Sequence, residues 1–421
     1  MTSKVQPPAE ASISASAFPG EDWDKVHIEA QAIVEIPLAV ERTEISVAII
    51  NDSLATLDCG SNSTLALTYK LLDVEGRELQ TDCIRTPLAS SVPPGGRVTQ
   101  KIAISIPEKY NLSVGAIKVG LVQRECFWIG RINRYHPRTI LLDRGETSNP
   151  VQKVMLYGAK IWPLGRSNGL GWPHGTMMVS EKYKLMYIPV AKCACTSLKA
   201  TMIALAEIEQ YEIAIKLGVH LVTDRFNTGA QLKDKTMKCA WQIMASDEYF
   251  KFTVIREPFE RLVSAYLEKF VYQRHNTRNL IHTRDIISKV QATDSIDLQR
   301  GITFDEFAGF IISQDPLTLD PHWRPQYLYM ENVKHLEGVF RLENIGRLEA
   351  HLRQYTGQPV HLGHKNKTKK SHQLLEGAEQ LTAAEIDGLG AFDPRSFQTS
   401  NLHARIADYY REDITLYSSA Q

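Results

Sequence analysis

The chain reads as a two-domain protein, an N-terminal all-β sandwich followed by an α/β domain with a mostly parallel sheet. Three observations lead there. Short alternating strands with regular turn signals fill the first third. Strands alternating with helical stretches fill the second half. Two of those strand–helix junctions carry cationic and hydroxyl side chains in a phosphate-binding order. At 421 residues there is ample core for two domains. The expected divisions are a flexible leader over 1–29, the sandwich over 30–143, a turn-rich bridge over 144–175 and the α/β domain over 176–421.

The leader is rich in Ala, Ser and Pro, a composition that buries too little apolar surface to order itself. The strand pattern follows. Ile45–Ile50 ends at Asn51-Asp52, and Thr64–Asp73 alternates and ends at Glu75-Gly76. Pro93-Pro94-Gly95-Gly96 forms a strong turn before Arg97–Ile106, which has period two; Ala116–Gln123 and Cys126–Ile129 make a last pair. The bridge holds several Gly residues and turn dipeptides. Its Trp162, Trp172 and His174 suit either a sugar-facing surface or the packing of a domain junction.

In the α/β domain the apolar run Leu185–Val190 delivers Lys192 into a tight turn of small residues, Cys193, Ala194 and Cys195. Thr196 and Ser197 then open a helix expected to run to Ile208. A strand feeding a loop of backbone N–H groups and a helix N-terminus is a ready anion site, because unpaired amides and the helix dipole both favour negative charge. Lys192 adds a mobile charge, and the two hydroxyls add donors. The logic recurs at Phe252–Ile255, which delivers Arg256, with Ser264 eight residues on along a helix expected over Pro258–Tyr272. Two such sites on successive strand–helix units imply one ligand with two separated anionic groups. Arg256 with Glu257, Glu260 and Arg261 also fits an ordinary salt-bridged helix start. No Gly-x-x-x-x-Gly-Lys-Ser/Thr run is present, which argues against a Walker-type kinase. Further on, a helical stretch is expected near Thr236–Met244. Thr303-Phe304-Asp305-Glu306 has the form of a capping box, and Val339–Leu342 reads as a short strand.

These stretches resemble the sulfotransferases that use 3′-phosphoadenosine 5′-phosphosulfate (PAPS), especially the carbohydrate sulfotransferase branch. The sequence VIREPFERLVSAYLEKF is similar to the second motif of the glycan-modifying members. The runs DPHWRPQ (320–326) and KNKTKK (365–370) and the tail IADYYREDITLY (406–417) agree with it. The resemblance covers roughly residues 180–418 and implies a P-loop-like sulfotransferase domain. It implies that Lys192, Cys193, Ala194, Cys195, Thr196 and Ser197 cradle the 5′-phosphosulfate, with Lys192 stabilising the leaving group, and that Arg256 and Ser264 hold the 3′-phosphate. Lys367 is expected on a loop that closes over the nucleotide or an anionic glycan. His322 is the first candidate for the base that takes the acceptor's proton, with His220 and His174 as rivals. Trp323 and Arg324 are candidates to grip the acceptor. The acceptor class implied is a carbohydrate or glycolipid. A glycan-binding scaffold with an inactive transferase half is the alternative of another class. The first domain looks like immunoglobulin-like modules attached to bacterial glycan-handling proteins, with glycan binding and plain structural support both open.

Cys193 and Cys195 depart from the small residues usual at that turn. No further Cys or His pair stands at ligand spacing nearby, so no metal is expected. A thiol at a helix N-terminus beside a lysine is expected to have a lowered pKa and to oxidise or alkylate readily. Serving as a small residue that lets the backbone close on a phosphate is its other role. Lys plus Arg equals Asp plus Glu at 48 each, so no global field recruits nucleic acid or an anionic membrane, and local sites must do the anion binding. No apolar run of ~18 residues and no secretory-type apolar core is present. The six cysteines lack framework spacing. A cytoplasmic, bacterial enzyme is the expectation.

Overall fold

The structure is a computed structural model that describes residues 25–37, 42–59, 65–74, 76–80, 83–123, 138–145, 150–164, 168–277, 279–362, 373–389 and 393–421. It divides into two compact units that meet in sequence between Gly169 and Leu170.

Among its described residues the first unit has nine strands: β1 (Val26–Glu29), β2 (Ile33–Glu35), β3 (Arg42–Asn51), β4 (Leu65–Asp73), β5 (Glu78–Gln80), β6 (Thr86–Pro87), β7 (Gly96–Ser105), β8 (Val114–Gln123) and β9 (Arg138–Asp143). One sheet has the order β1-β3-β7. The other runs β2-β9-β8-β4-β5, with β6 paired to β4. Alternation along the strands explains how the two sheets share one core. Val26, Ile28, Val47, Ile49, Ile102 and Ile104 come from the first sheet and Leu67, Tyr69, Leu71, Ile117, Val119 and Ile140 from the second, all in one apolar cluster. The first strand begins at Val26, inside the expected leader, because Val26 and Ile28 bury themselves by pairing antiparallel with Asn51 and Ile49 of β3. Cys126–Ile129 lies outside the described residues. The expected bridge contains a helix, α1 (Pro150–Gly158), and Trp162, just after it in sequence, is buried. That buried ring is packing, so a sugar-facing role for Trp162 does not hold.

The second unit centres on a four-stranded sheet ordered β10 (Met178–Ser180), β11 (Leu185–Ile188), β12 (Phe250–Ile255) and β13 (Leu336–Arg341). The last three strands are parallel; β10 adds an antiparallel edge that the sequence pattern did not reveal. The central strands β11 and β12 are buried on both faces, as crossover connections require, and read as near-continuous apolar runs. Gly338 on β13 sits so close to Phe250, Phe252 and Phe340 that a Cβ would come within 2.7–2.9 Å of their side chains.

Around the sheet lie α2 (Cys195–Leu205), α3 (Tyr211–Leu217), α4 (Val219–Arg225), α5 (Met237–Ala245), α6 (Pro258–Tyr266), α7 (Leu280–Gln291) and α8 (Phe304–Ile312). They are followed by α9 (Ile345–Thr356), α10 (Ala383–Asp387), α11 (Ser400–Tyr409) and α12 (Arg411–Ser419). The helix expected over Pro258–Tyr272 is α-helical only to Tyr266 and widens to a π-helix over Leu267–Tyr272. Such a widening is frequent at functional sites, and this one presents Glu268 and Lys269. The capping box at Thr303 is complete, with Thr303 and Glu306 each accepting from the other's backbone N–H.

One buried cation ties these elements together. Arg261 on α6 is 2% exposed. Its Nε donates to the Ala191 carbonyl at 2.9 Å, Nη1 to Arg324 at 2.9 Å and Nη2 to Pro321 at 3.0 Å. The planar fork thus holds the turn after β11 and the 321–324 loop in one frame, which a lysine's point charge does not reproduce. Arg261→Ala is therefore predicted to lower stability by about 3–5 kcal/mol, because three buried carbonyls lose their donor beside a new cavity. Arg261→Lys should recover only part. Chemical denaturation followed by tryptophan fluorescence measures this, and a loss below about 1 kcal/mol would contradict the bracing role.

Candidate active site

The turn after β11 is shaped by two residues in the left-handed region, Lys192 at φ 70° and Ala194 at φ 55°. That backbone aims successive N–H groups to one side, as anion-binding concavities do. Ala194 is the N-cap of α2 and has no side chain with which to cap it, so helical geometry leaves the first-turn amides of Cys195 and Thr196 without an intrahelical acceptor. The Thr196 hydroxyl and His220 Nε2 on α4 are 3.0 Å apart. Although the His220 ring reaches the surface, the protein around it desolvates the imidazolium and Lys199 repels it. Its pKa is pushed down to about 4, so the ring is neutral near pH 7.

Lys192 is mostly buried, and its ammonium pairs with Glu268 of the π-helical segment. Burial works to raise the Glu268 pKa, but Lys192 outweighs it with help from Lys269 and His322, and the carboxyl ends below its ordinary value. A carboxylate thus occupies the cation that the turn offers to an anion. It sat within the VIREPFERLVSAYLEKF stretch, where only the π-helical widening shows that it faces Lys192.

The two cysteines correct the expectation of a reactive thiol. Cys193 is fully buried. Its thiol donates toward Gln326 Oε1 at 3.4 Å and the Ala191 carbonyl at 3.6 Å. Burial pushes its pKa up to about 11, overcoming the attraction of Arg261 and Arg256, and burial likewise raises Cys195. Desolvation wins over the helix dipole, and Cys193 serves as a small buried residue that fixes the turn.

The second anion unit is built differently from the first. The N-terminus of α6 is closed by Glu257, whose carboxylate accepts from Phe259 N at 3.2 Å and Glu260 N at 2.7 Å. The expected anion site on those backbone amides is therefore taken, and the side chains Arg256 and Ser264 remain the donors. Arg256, just before the N-cap, pairs with Glu260 at 3.1 Å, and Ser264 stands one turn beyond Glu260 on the same side of the helix. The salt-bridged helix start foreseen from the sequence is present, and it holds the Arg256 guanidinium against a carboxylate.

Gln326, fully buried, joins the two units. It accepts from the Arg256 N–H at 3.0 Å and donates to the Arg256 carbonyl at 2.8 Å, on the same amide that receives Cys193. Asp413 of α12 in turn accepts from Gln326 N at 2.7 Å and Tyr327 N at 2.9 Å. The closing helix thus reaches back to hold the floor of the site.

Above that floor stands the 320–324 loop. Asp320 accepts from His322 Nδ1 at 2.6 Å and His322 N at 2.9 Å through Oδ1, and from His282 Nδ1 at 2.7 Å through Oδ2. The two rings meet edge to face, 4.8 Å apart. Burial lowers the His322 pKa, and the pull of Asp320 does not restore it; Lys269 and His282 push the same way as burial. Asp320 is held far below the carboxylate range against its own burial, by hydrogen bonds from both histidines. One nitrogen from each ring and one Asp320 oxygen fall within 4.8 Å of one another, a clustering that no sequence spacing signalled, since His282 lies on α7. Both Nδ1 atoms are spent on the carboxylate.

The remaining expectations divide. Trp323 is 1% exposed and packs among Phe270 and Phe307, so it belongs to the core and does not grip an acceptor. Arg324 stacks on Trp172 at 4.1 Å, and Trp172 meets Tyr329 edge to face. His174 Nε2 lies 2.9 Å from the Glu331 carbonyl and is engaged there, apart from the His322 cluster. Ser197 is buried on the first turn of α2. Lys367 and the rest of the basic run lie outside the described residues.

A basic turn opening a helix, a cation and a hydroxyl after the next strand and a carboxylate-held imidazole are the groups that a site for an anionic ligand needs. The family model described as "Sulfotransferase family" matches residues 175–418, and the chain belongs to that family. Carbohydrate sulfotransferase 14 of Homo sapiens is 30% identical over 156 residues, 36% of this chain and 38% of that protein. Carbohydrate sulfotransferase 11 of Rattus norvegicus is 30% identical over 159 residues, 36% and 44% of the two chains. Carbohydrate sulfotransferase 8 of Mus musculus is 26% identical over 151 residues, covering 35% of each. The matched region thus spans less than half the length of each of these relatives.

The cysteine assignment is directly testable. At pH 8 a thiol of pKa near 11 is thiolate in only ~0.1% of molecules. Cys193 should therefore stay unmodified by iodoacetamide in the folded protein while the half-buried Cys239 reacts. Peptide mapping that finds Cys193 alkylated first would overturn this.

Proposed function

We propose that this protein transfers the sulfuryl group of PAPS to a hydroxyl of a carbohydrate acceptor, a polysaccharide or a glycolipid. The single observation that supports the reading is that two sets of cationic and hydroxyl donors follow consecutive parallel strands, β11 and β12, and are linked through Gln326. The donor set fits a nucleotide with two separated anionic groups: backbone amides, a lysine and hydroxyls at one site, an arginine and a hydroxyl at the other.

When bound, PAPS supplies an activated sulfuryl group on a phosphate leaving group. The α2 N-terminus is P-loop-like in that its amides, with Thr196 and Ser197, are the groups to hold the 5′-phosphate. Lys192, released from Glu268, offsets the charge that grows on the leaving oxygen. Arg256 and Ser264 hold the 3′-phosphate and thereby select a nucleotide carrying one. His322, with Nδ1 committed to Asp320, presents Nε2 to the acceptor hydroxyl and takes its proton as the oxygen attacks sulfur. The sulfur–oxygen bond to the leaving phosphate breaks, and its electron pair stays on that oxygen. The neutral state of His220 and its contact with Thr196 make it a partner of the 5′ site in this reading.

Action in a reducing cytoplasm is part of the proposal. Recovery of the enzyme in the cytoplasmic fraction of host cells checks it, and recovery only in a membrane or secreted fraction would overturn it. No helix among the described residues is long and apolar enough to cross a membrane.

The test is transfer of labelled sulfate from PAPS to a panel of glycans. We expect incorporation with wild type and none with His322→Ala, whose binding of 3′-phosphoadenosine 5′-phosphate is unchanged. Because the His322 pKa is lowered, the base stays deprotonated down to a lower pH than an ordinary histidine. The acid limb of kcat/KM should then fall below pH ~6.5. Near-normal transfer by His322→Ala would remove the assignment, and no transfer to any glycan would remove the acceptor class.

A further inference from the structure

We propose that His282 and Asp320 are positioning residues for His322. Asp320 accepts a hydrogen bond from the Nδ1–H of each ring and so fixes the tautomer in which His322 Nε2 carries the lone pair facing the acceptor. This rests on His322 being the base.

The geometry separates the parts played by the two carboxylate oxygens. Oδ1 takes the backbone N–H and the ring Nδ1–H of His322 at 2.9 and 2.6 Å, which fixes the ring relative to its own main chain. Oδ2 is left to His282, 2.7 Å away. A carboxylate accepts only, so Nδ1 of each neutral ring must carry the hydrogen, and Nε2 of His322 must then be the acceptor nitrogen. Without such a partner the two neutral tautomers compete, and in the other one Nε2 bears a proton and cannot accept another.

His282 does more than complete the shell. By donating to Asp320 it disperses the negative charge that would otherwise stabilise protonated His322, and its ring stands 4.8 Å from the His322 ring. Other groups bias the same ring. Lys269 of the π-helix repels the imidazolium, Glu268 beside it attracts it, and His220 of α4 interacts across the site. Lys269 also acts on Asp320 through its charge, whereas His282 donates a hydrogen bond to it, so removal of His282 should strengthen the Asp320–His322 attraction and make His322 harder to deprotonate. An exposed side-chain packing role has no such signature.

The experiment measures kcat/KM against pH, with 3′-phosphoadenosine 5′-phosphate binding as the control for folding, on wild type, His322→Ala, Asp320→Asn, His282→Ala and His282→Asn. Asp320→Asn should lose roughly 10²- to 10⁴-fold in turnover with nucleotide affinity unchanged, since the amide lets the ring adopt the wrong tautomer. His282→Ala should move the acid limb to higher pH. His282→Asn, whose amide N–H stands near the place of Nδ1–H, should move it back toward wild type. These activities should be insensitive to a chelator.

If His322→Ala keeps its turnover, the base assignment and this proposal fall together. If His322→Ala is inactive while Asp320→Asn is fully active, the positioning role alone is wrong. A His282→Ala variant slowed equally at every pH, with the limb unmoved, shows a structural residue and overturns the proposal. So does activity lost to a chelator and restored by zinc, which makes the cluster a metal site. Should Asp320→Asn fail to bind nucleotide, the pair His282→Ala and His282→Asn decides by the position of the limb.

Discussion

A guanidinium with no solvent around it holds the candidate site in register. Arg261 satisfies backbone carbonyls of Ala191, Pro321 and Arg324, residues far apart in sequence that flank the anion turn and the imidazole loop. Removing a charge from water costs several kcal/mol, and only close, complete hydrogen bonding offsets it. The geometry of both loops is constrained by that need. Gln326 and Asp413 extend the same logic, with a buried amide spanning β12 and the Cys193 turn and a buried carboxylate from the closing helix receiving two backbone N–H groups. The tail of the chain is thereby part of the site's floor.

Upon that floor the charges are arranged in opposition. Each of the two cations is held by a carboxylate, Lys192 by Glu268 and Arg256 by Glu260. Such pairs keep a basic site from being left unpaired and mostly buried, and they give way where a ligand offers a more highly charged partner. The π-helical widening brings Glu268 and Lys269 to the mouth of the site, between Lys192 and His322. In the proposed mechanism the transfer takes place among alternating charges that, with burial, bias the protonation of His322.

Much of this was legible in the sequence. The two strand–turn–helix units that carry Lys192, Thr196, Arg256 and Ser264 follow from local pattern, because an apolar strand and a following hydroxyl-rich turn are short-range features, whereas the 320–326 run drew notice only through its resemblance to a family motif. What the sequence hid was long-range or depended on burial. His282 is a lone histidine on a helix until α7 brings it against Asp320. Cys193 looked reactive because its neighbours in sequence are a lysine and a helix start, whereas its surroundings in space are apolar enough for desolvation to dominate. Trp323 looked like an acceptor contact because it adjoins His322, yet alternate residues of that loop face the core. The leader boundary moved to Val26 for a related reason, since a short strand with two buried residues gains its stability wholly from its partner.

The central claim is that two anion sites, braced into one frame, hold one nucleotide bearing phosphates at both ends. Titration calorimetry of the wild-type protein with 3′-phosphoadenosine 5′-phosphate and with AMP tests it most directly. The account predicts a preference for the former of roughly 1.5–3 kcal/mol, the worth of a charge-assisted contact to the extra phosphate, and its loss in Arg256→Ala. Equal affinity for the two nucleotides in the wild type would contradict it.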